Sequence, residues 1–335
     1  MKAAVAENQQ ITVKEVEIPV MEGKGAIVKV LGCGLCGSDI VKFKNHPEPR
    51  VLGHEVVGEI VQIKNGLFPK FKKGDKVVLG HHIPCMKCRF CKNENYSMCH
   101  QFKESNIHPG GFAEYIFVSD KHLKNTVFKV PKNLDDMEIS FMEPLGCCVR
   151  AVKRAGVKEG TTSLVIGLGS IGMLMGQAVK AFKGDVIGCD LIDERVSIAE
   201  NLNFDCSLKF ESNEATAAKI KEMTEDYGAD IVFMTSGSDK TLEFALNAVR
   251  DGGTILVFSS IPTEDGYKNN DIYYRELKIM GSYSPSPQDL KEAYELLRKK
   301  KVCVKYLSTQ YPLDDIAGAI EDTIANKTLK AYIKI

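Results

Sequence analysis

From Ile11 to about Val130, short β-branched runs such as Ala26–Leu31, Val56–Ile63 and Lys76–Leu79 alternate with turns rich in Gly, Pro and Asn. That spacing predicts a compact, mainly β or barrel-like unit. After Glu143-Pro144 the period changes. Apolar runs at Ser163–Ile166, Asp185–Cys189, Ile231–Thr235 and Thr254–Phe258 alternate with helix-compatible stretches around 170–182, 193–202, 214–226 and 239–250. Such alternation predicts βαβ units and a parallel sheet. Beyond Ser284-Pro285-Ser286-Pro287 comes an amphipathic stretch, Asp289–Lys300, then two short strand-like pieces, Val304–Leu307 and Lys330–Ile335. This tail could return to the first domain. No internal repeat or low-complexity segment interrupts the pattern.

At 335 residues the chain exceeds one ordinary core, and the change of period divides it at 1–150, 151–284 and 285–335. Its 44 basic and 44 acidic residues cancel, with no long Lys/Arg run. This balance argues against a nucleic acid or membrane surface as partner and for a small, weakly charged molecule. The opening Met1–Glu7 reaches an acidic residue before any apolar run long enough for a signal peptide, and no later run could span a bilayer, so a cytoplasmic protein is expected. Four of the eleven cysteines crowd into residues 85–99, and in a reducing cytosol metal ligation explains such a cluster better than disulfides.

The run Ser163–Ile166 leads into Gly167-Leu168-Gly169-Ser170-Ile171-Gly172, with helix-compatible residues directly after. Glycines there permit a tight turn and let backbone N–H groups approach a pyrophosphate at a helix N-terminus. Asp190 ends the next apolar run, close to the ~20-residue distance at which a carboxylate accepts from the adenosine ribose hydroxyls. Leu191 and Ile192 follow it, not residues that welcome a 2′-phosphate, so NAD is expected over NADP. Arg195, one helical turn later, is the residue that speaks for NADP. A bare strand-to-helix turn would explain the glycines alone, but not strand, helix and acid together.

Cys85-x2-Cys88-x2-Cys91-x7-Cys99 places four thiols in a segment with little apolar material of its own. Four sulfurs complete a tetrahedron around zinc with no open position, so a structural, catalytically inert site is expected. An iron–sulfur ligand set shares the C-x2-C-x2-C opening, but the longer final spacing and missing trailing Pro disfavour it.

A second set is dispersed: Cys36-Gly37-Ser38-Asp39, Gly53-His54-Glu55-Val56-Val57-Gly58 and Met142-Glu143-Pro144-Leu145-Gly146. Each alone is weak, since a lone His beside Gly or a lone Cys is usually structural. In this order, with the four-cysteine segment and the glycine fingerprint, the chain resembles the zinc-containing medium-chain dehydrogenase/reductase superfamily over essentially its whole length. It resembles most the branch of sorbitol, threonine and related polyol dehydrogenases, because Glu143-Pro144-Leu145 stands where classical alcohol dehydrogenases carry a cysteine ligand.

The resemblance implies a two-domain fold: a GroES-like β-barrel catalytic domain (1–150, with a structural zinc lobe at 85–99) completed by the tail 285–335, and an α/β Rossmann domain with a doubly wound parallel sheet (151–284). It implies two Zn2+ per chain. Cys36, His54 and Glu55 would bind the catalytic one with Glu143 close behind, or Glu55 and Glu143 would exchange roles. Ser38 follows as proton relay and Asp39 as the acceptor that fixes His54. Three protein ligands and an open position suit a Lewis-acid zinc that activates an alcohol for hydride transfer to nicotinamide.

Two departures stand out. Ile40, Val41 and Lys42 occupy positions where many relatives carry a proton-handling histidine. The stretch from Cys36 to His54 is also shorter than in sorbitol dehydrogenases, which suits a bulkier or cyclic polyol. His46, Arg50, His81 and His82 could meet substrate hydroxyl or phosphate groups, as could Arg275-Glu276, although charged loops are more often merely solvated. The remaining cysteines, Cys33, Cys147, Cys148, Cys189, Cys206 and Cys303, carry no pattern.

The expected activity is NAD-linked oxidation of a secondary alcohol, a polyol, sugar alcohol or cyclic polyol, to the ketone. The alternative substrate is a simple alcohol or an amino-alcohol such as threonine. A zinc-ribbon, nucleic-acid-binding redox sensor is disfavoured, because Cys85–Cys99 contains only Lys87, Arg89 and Lys92 as cations. A zinc-free reductase is opposed by two intact ligand sets. Assembly as a homodimer or homotetramer through the edge of the nucleotide-binding sheet is expected by resemblance.

Overall fold

The computed structural model describes residues 1–335 apart from 22, 46, 65–67, 238, 260–266 and 268, with only the backbone of 239 and 240. His46 therefore lies outside the described residues. The chain divides into two units, Met1–Gly146 with Pro285–Ile335, and Cys147–Ser284. The boundary expected after residue 150 falls inside one helix, Met142–Ala155.

In the first unit the strands are β1 (Lys2–Glu7), β2 (Gln10–Glu15), β3 (Gly25–Gly34), β4 (Arg50–Val51), β5 (Glu55–Ile63), β6 (Lys76–Leu79), β7 (Tyr115–Ser119) and β8 (Val127–Lys129). β1 is flanked by β2 and β4, antiparallel to both. β3 is the axis of a second sheet. β5 covers one edge of it, while β7 and the C-terminal strand Ala331–Lys334 share the other, β7 on Gly25–Lys29 and the tail on Gly32–Gly34. Being buried nearly throughout, β3 reads as a run of small and β-branched residues, not as an alternation. Beneath it lies one apolar core that includes Val28, Val30, Val56, Ile60, Phe112 and Ile116 together with Ile316, Ile320 and Ile333 from the tail.

This unit is less purely β than its sequence suggests, for it also holds the helices Gly37–Asn45, Asp120–Asn125 and Asp136–Ser140. These are too short to leave a helical period in the sequence. The amphipathic stretch forms the helix Pro287–Arg298, with a capping box in which Ser286 Oγ accepts from Asp289 N–H and the Asp289 carboxylate accepts from Ser286 N–H. Val304–Leu307 is not a strand. Leu307 N–H bonds the Val304 carbonyl at 3.0 Å, closing a turn that buries both apolar side chains and turns Tyr306 outward. The strand comes later, at Thr309–Pro312.

The second unit is a sheet of β9 (Thr162–Ile166), β10 (Asp185–Asp190), β11 (Cys206–Lys209), β12 (Ala229–Met234), β13 (Val249–Val257) and β14 (Lys278–Gly281), in the order β11-β10-β9-β12-β13-β14. All its pairings are parallel. This is the doubly wound order, whose reversal between β9 and β12 marks where ligands bind. Several predicted ends shift. Thr235 lies beyond β12 and donates to the Ile166 and Gly167 carbonyls, and the helix predicted to reach 250 stops at Ala248 because Val249 already pairs with Ala229. Among the described residues no helix is long and apolar enough to cross a membrane.

Ser286→Ala removes one side of the capping box and is expected to lower stability by about 1 kcal/mol. Urea unfolding followed by circular dichroism checks this, and an unchanged midpoint would show that the cap contributes nothing.

Candidate functional site

Cys36 lies between the end of β3 and the helix Gly37–Asn45, while His54 and Glu55 open β5. Antiparallel pairing sets Gly34 opposite Glu55, so these segments meet, and the ligating atoms of Cys36, His54 and Glu55 lie within 4.8 Å of one another. Asp39, 2% exposed in the first turn of the helix, ties them together. Its Oδ1 accepts from Gly53 N–H (3.2 Å) and His54 Nδ1 (3.2 Å), and its Oδ2 accepts from Cys36 N–H (3.1 Å). With Nδ1 engaged, the imidazole has Nε2 left for a metal. Burial works against charge on both partners, yet each favours the other's charged form: Asp39 sits below the usual carboxylate range and His54 well above the usual imidazole range.

Glu55 is 1% exposed. Lys330 Nζ donates to its Oε1 at 2.5 Å, whereas Oε2 is buried with no hydrogen-bond partner. A buried carboxylate oxygen without a partner is costly, and beside a thiol and an imidazole it fits a cation. Gly34 makes room for it, since a Cβ there would stand 2.0 Å from Glu55 Oε2. Lys330, itself 5% exposed, precedes the tail strand; burial pulls its pKa down, but Glu55 first and then Cys36 raise it overall. Nothing in the sequence pattern marked this lysine. Glu143 is buried in the first turn of the helix Met142–Ala155 and is not one of the three clustered groups, while Ser38 is exposed in the first turn of its helix.

The sulfurs of Cys85, Cys88, Cys91 and Cys99 also lie within 4.8 Å of one another. Cys88 and Cys91 are 3.6 Å apart, and Cys85 and Cys91 3.9 Å. Zinc–sulfur bonds of ~2.3 Å in a tetrahedron require an edge of about 3.8 Å, so the four thiols fit zinc as they stand. Backbone N–H groups of Lys87 and Cys88 draw the Cys85 thiol down to about 6, which favours the ligating thiolate. All eleven cysteines are free of disulfides.

Of the other candidates near these sites, the His81 ring packs at a 48° tilt against His54 and His82 Nδ1 donates to the Ser105 carbonyl at 2.5 Å. Burial lowers both imidazoles, His82 to about 4. Arg50 pairs through its backbone with Ala6 of β1.

In the other unit the fingerprint spans the end of β9 and the helix Ser170–Ala181. Gly167 has φ +91°, and a Cβ on Gly172 would lie 1.9 Å from the Gly167 carbonyl oxygen, so both positions demand glycine. Gly169 caps the helix and faces open space, leaving the helix N-terminus approachable at Gly169, Ser170 and Ile171, while Leu168 is buried. Asp190 ends β10 beside this loop. Its Oδ2 accepts from Leu168 N–H (2.6 Å) and Oδ1 from Ile192 N–H (2.9 Å), with Arg195 Nη1 3.6 Å from Oδ2. The Arg275 guanidinium bonds Asp251 and the carbonyls of Leu246 and Val249 within the same unit.

An alcohol dehydrogenase GroES-like domain model matches residues 22–132, and a zinc-binding dehydrogenase model matches 170–299. The chain is 31% identical to an uncharacterized zinc-type alcohol dehydrogenase-like protein, YdjJ, of Escherichia coli (strain K12), over 95% of this chain and 94% of that one. It is 30% identical to a sorbitol dehydrogenase of Halalkalibacterium halodurans, over 91% and 90%. Among solved structures, galactitol-1-phosphate dehydrogenase from Escherichia coli superposes with a TM-score of 0.87 over 100% of both chains, at 27% identity. With both models matched in chain order and a relative aligned nearly end to end, the chain belongs to the zinc-containing medium-chain dehydrogenase superfamily.

Proposed function

We propose that the protein oxidises a secondary alcohol of a polyol, sugar alcohol or cyclic polyol to the ketone, with NAD as acceptor and two zinc ions per chain. The observation that carries this reading is the trio Cys36, His54 and Glu55, which presents one thiol, one imidazole and one carboxylate oxygen lacking a partner, a set that leaves a fourth position to substrate. Zinc held there supplies a Lewis acid toward a carbinol oxygen, and nicotinamide supplies the hydride acceptor.

The chain's own residues do the rest. Asp39 holds the His54 tautomer, and Lys330 occupies Oε1 of Glu55 so that Oε2 alone faces the ligand position. Ser38 receives the carbinol proton, while Glu143 contributes negative charge behind the site. Cys85, Cys88, Cys91 and Cys99 hold the second zinc, closed to substrate. The turn Gly167 to Gly172 receives the pyrophosphate at the helix N-terminus, the N–H groups of Gly167 and Leu168 being bonded to the Cys189 carbonyl and Asp190. Asp190 retains free lone pairs for the ribose hydroxyls, and Arg195, drawn toward Asp190, is not free for a 2′-phosphate, which supports NAD. Relatives named for sorbitol and galactitol 1-phosphate support a polyol. The protein acts in the cytoplasm as a homodimer or homotetramer; β14 at the end of its sheet, with one strand neighbour among the described residues, supports pairing at that edge.

NADH formation, followed by absorbance with a panel of acyclic polyols, inositols, sugar phosphates, threonine and simple alcohols, tests this. A polyol is expected to give chelator-sensitive reduction of NAD with higher kcat/KM than NADP, restored by zinc. Turnover of simple alcohols alone would sink the substrate class. Asp39→Asn is expected to cost about 10–100-fold in metal affinity or activity, the range for groups that orient a ligating histidine. Lys330→Met leaves the Glu55 carboxylate buried without its cation, and in chelator-treated protein it should cost about 3–5 kcal/mol by urea unfolding. Adding Glu55→Gln should recover part of that loss.

A further inference from the structure

The four-cysteine lobe and the Cys36–His54–Glu55 trio are joined by a continuous line of rings. Phe102, 2% exposed in the helix His100–Glu104, packs with Cys91 and Cys99. Its ring centroid lies 4.6 Å from that of His82, His82 lies 4.0 Å from His81, and His81 lies 4.6 Å from His54. The segment bearing the middle rings is clamped from both sides. On the lobe side, His82 Nδ1 donates to the Ser105 carbonyl, Ile83 N–H donates to Ser105 Oγ (2.8 Å), and Gln101 Nε2 donates to the Ile83 carbonyl (3.3 Å). On the other, His122 Nε2 donates to the His81 carbonyl (2.8 Å), its Nδ1 accepting from Ser119 Oγ (2.8 Å).

This arrangement matters for His54. The Cβ–Cγ bond and the bond from Nδ1 to Asp39 hold one edge of the imidazole, and the tilt of the ring about that edge is what a packed neighbour restrains. That neighbour is His81, whose ring lies at a 48° tilt to that of His54 and is held through His82 and Phe102 by the lobe.

We propose that the four-cysteine lobe is a positioning element for the Cys36–His54–Glu55 site, transmitting its order through Phe102, His82 and His81 to the plane of the His54 imidazole. The lobe then has a task beyond local stability: its folding sets the affinity of the other site for metal. This rests on the reading of both clusters as metal sites.

The test is cobalt titration of the full chain with the lobe zinc retained, reading the dissociation constant and the ligand-field spectrum at the Cys36 site. Wild type must first bind one cobalt beside one zinc; failure there overturns the metal reading itself, not the coupling. His82→Leu, which removes the ring, is expected to weaken cobalt binding about 10–100-fold and alter the spectrum, the range for residues acting through a ligand. His82→Phe keeps the ring but loses the Ser105 bond, and is expected to stay within a few-fold of wild type. Should His82→Leu fail to fold, Phe102→Leu reads the same link from the lobe side. Wild-type affinity and spectrum in the folded ring-deleting variant, or equal loss in His82→Phe, would overturn the proposal.

Discussion

The buried pair between Glu55 and Lys330 is the contact on which the first unit depends. A carboxylate removed from water carries a desolvation penalty of several kcal/mol, and only a counter-charge with good geometry offsets it. Here that charge comes from 275 residues further along the chain. The strand Ala331–Lys334 completes the β3 edge, places Leu35 N–H on the Ala331 carbonyl, and sets Lys330 beside Gly34 and Glu55. One strand pairing thus extends the sheet, covers the core and neutralises one oxygen of the Glu55 carboxylate. The oxygen that Lys330 does not reach is the one a metal would take.

Around that pair, the polar groups of the site are each held by a partner that leaves one atom for function. Asp39 occupies His54 Nδ1, so Nε2 remains; Lys330 occupies Glu55 Oε1, so Oε2 remains; and the His81 ring packs at a tilt against that of His54. The same economy appears in the nucleotide-binding unit. Asp190 receives two backbone N–H groups, which aim its carboxylate, and its remaining lone pairs stay available. In both units backbone geometry makes this possible, through Gly34 beneath Glu55 and through Gly167 and Gly172 in the fingerprint turn.

Much of this was legible before any coordinates. β-branched runs marked β3, β5, β6 and β9 to within a few residues, and the change of period separated a β unit from a parallel αβ unit. The four-cysteine cluster and the glycine fingerprint were readable because all their members sit within one short segment, where spacing alone limits geometry. Failures occurred where the pattern was ambiguous. Val304–Leu307 has strand-like residues but closes a turn, and the sequence does not show that the Arg275 guanidinium meets one carboxylate and two carbonyls of its own unit.

By itself the sequence determined the two kinds of unit, the closed set of four thiols, the nucleotide loop and the candidate ligands Cys36, His54 and Glu55, because local spacing and residue chemistry constrain these directly. Only the tertiary structure decided that Glu55, and not Glu143, groups with Cys36 and His54, that Lys330 neutralises Glu55, and that a line of rings joins the lobe to His54. Those outcomes depend on strand register and on side chains far apart in the chain. A one-residue slip of β5 against β3 would turn Glu55 to the opposite face, and no local pattern records which register a sheet will choose.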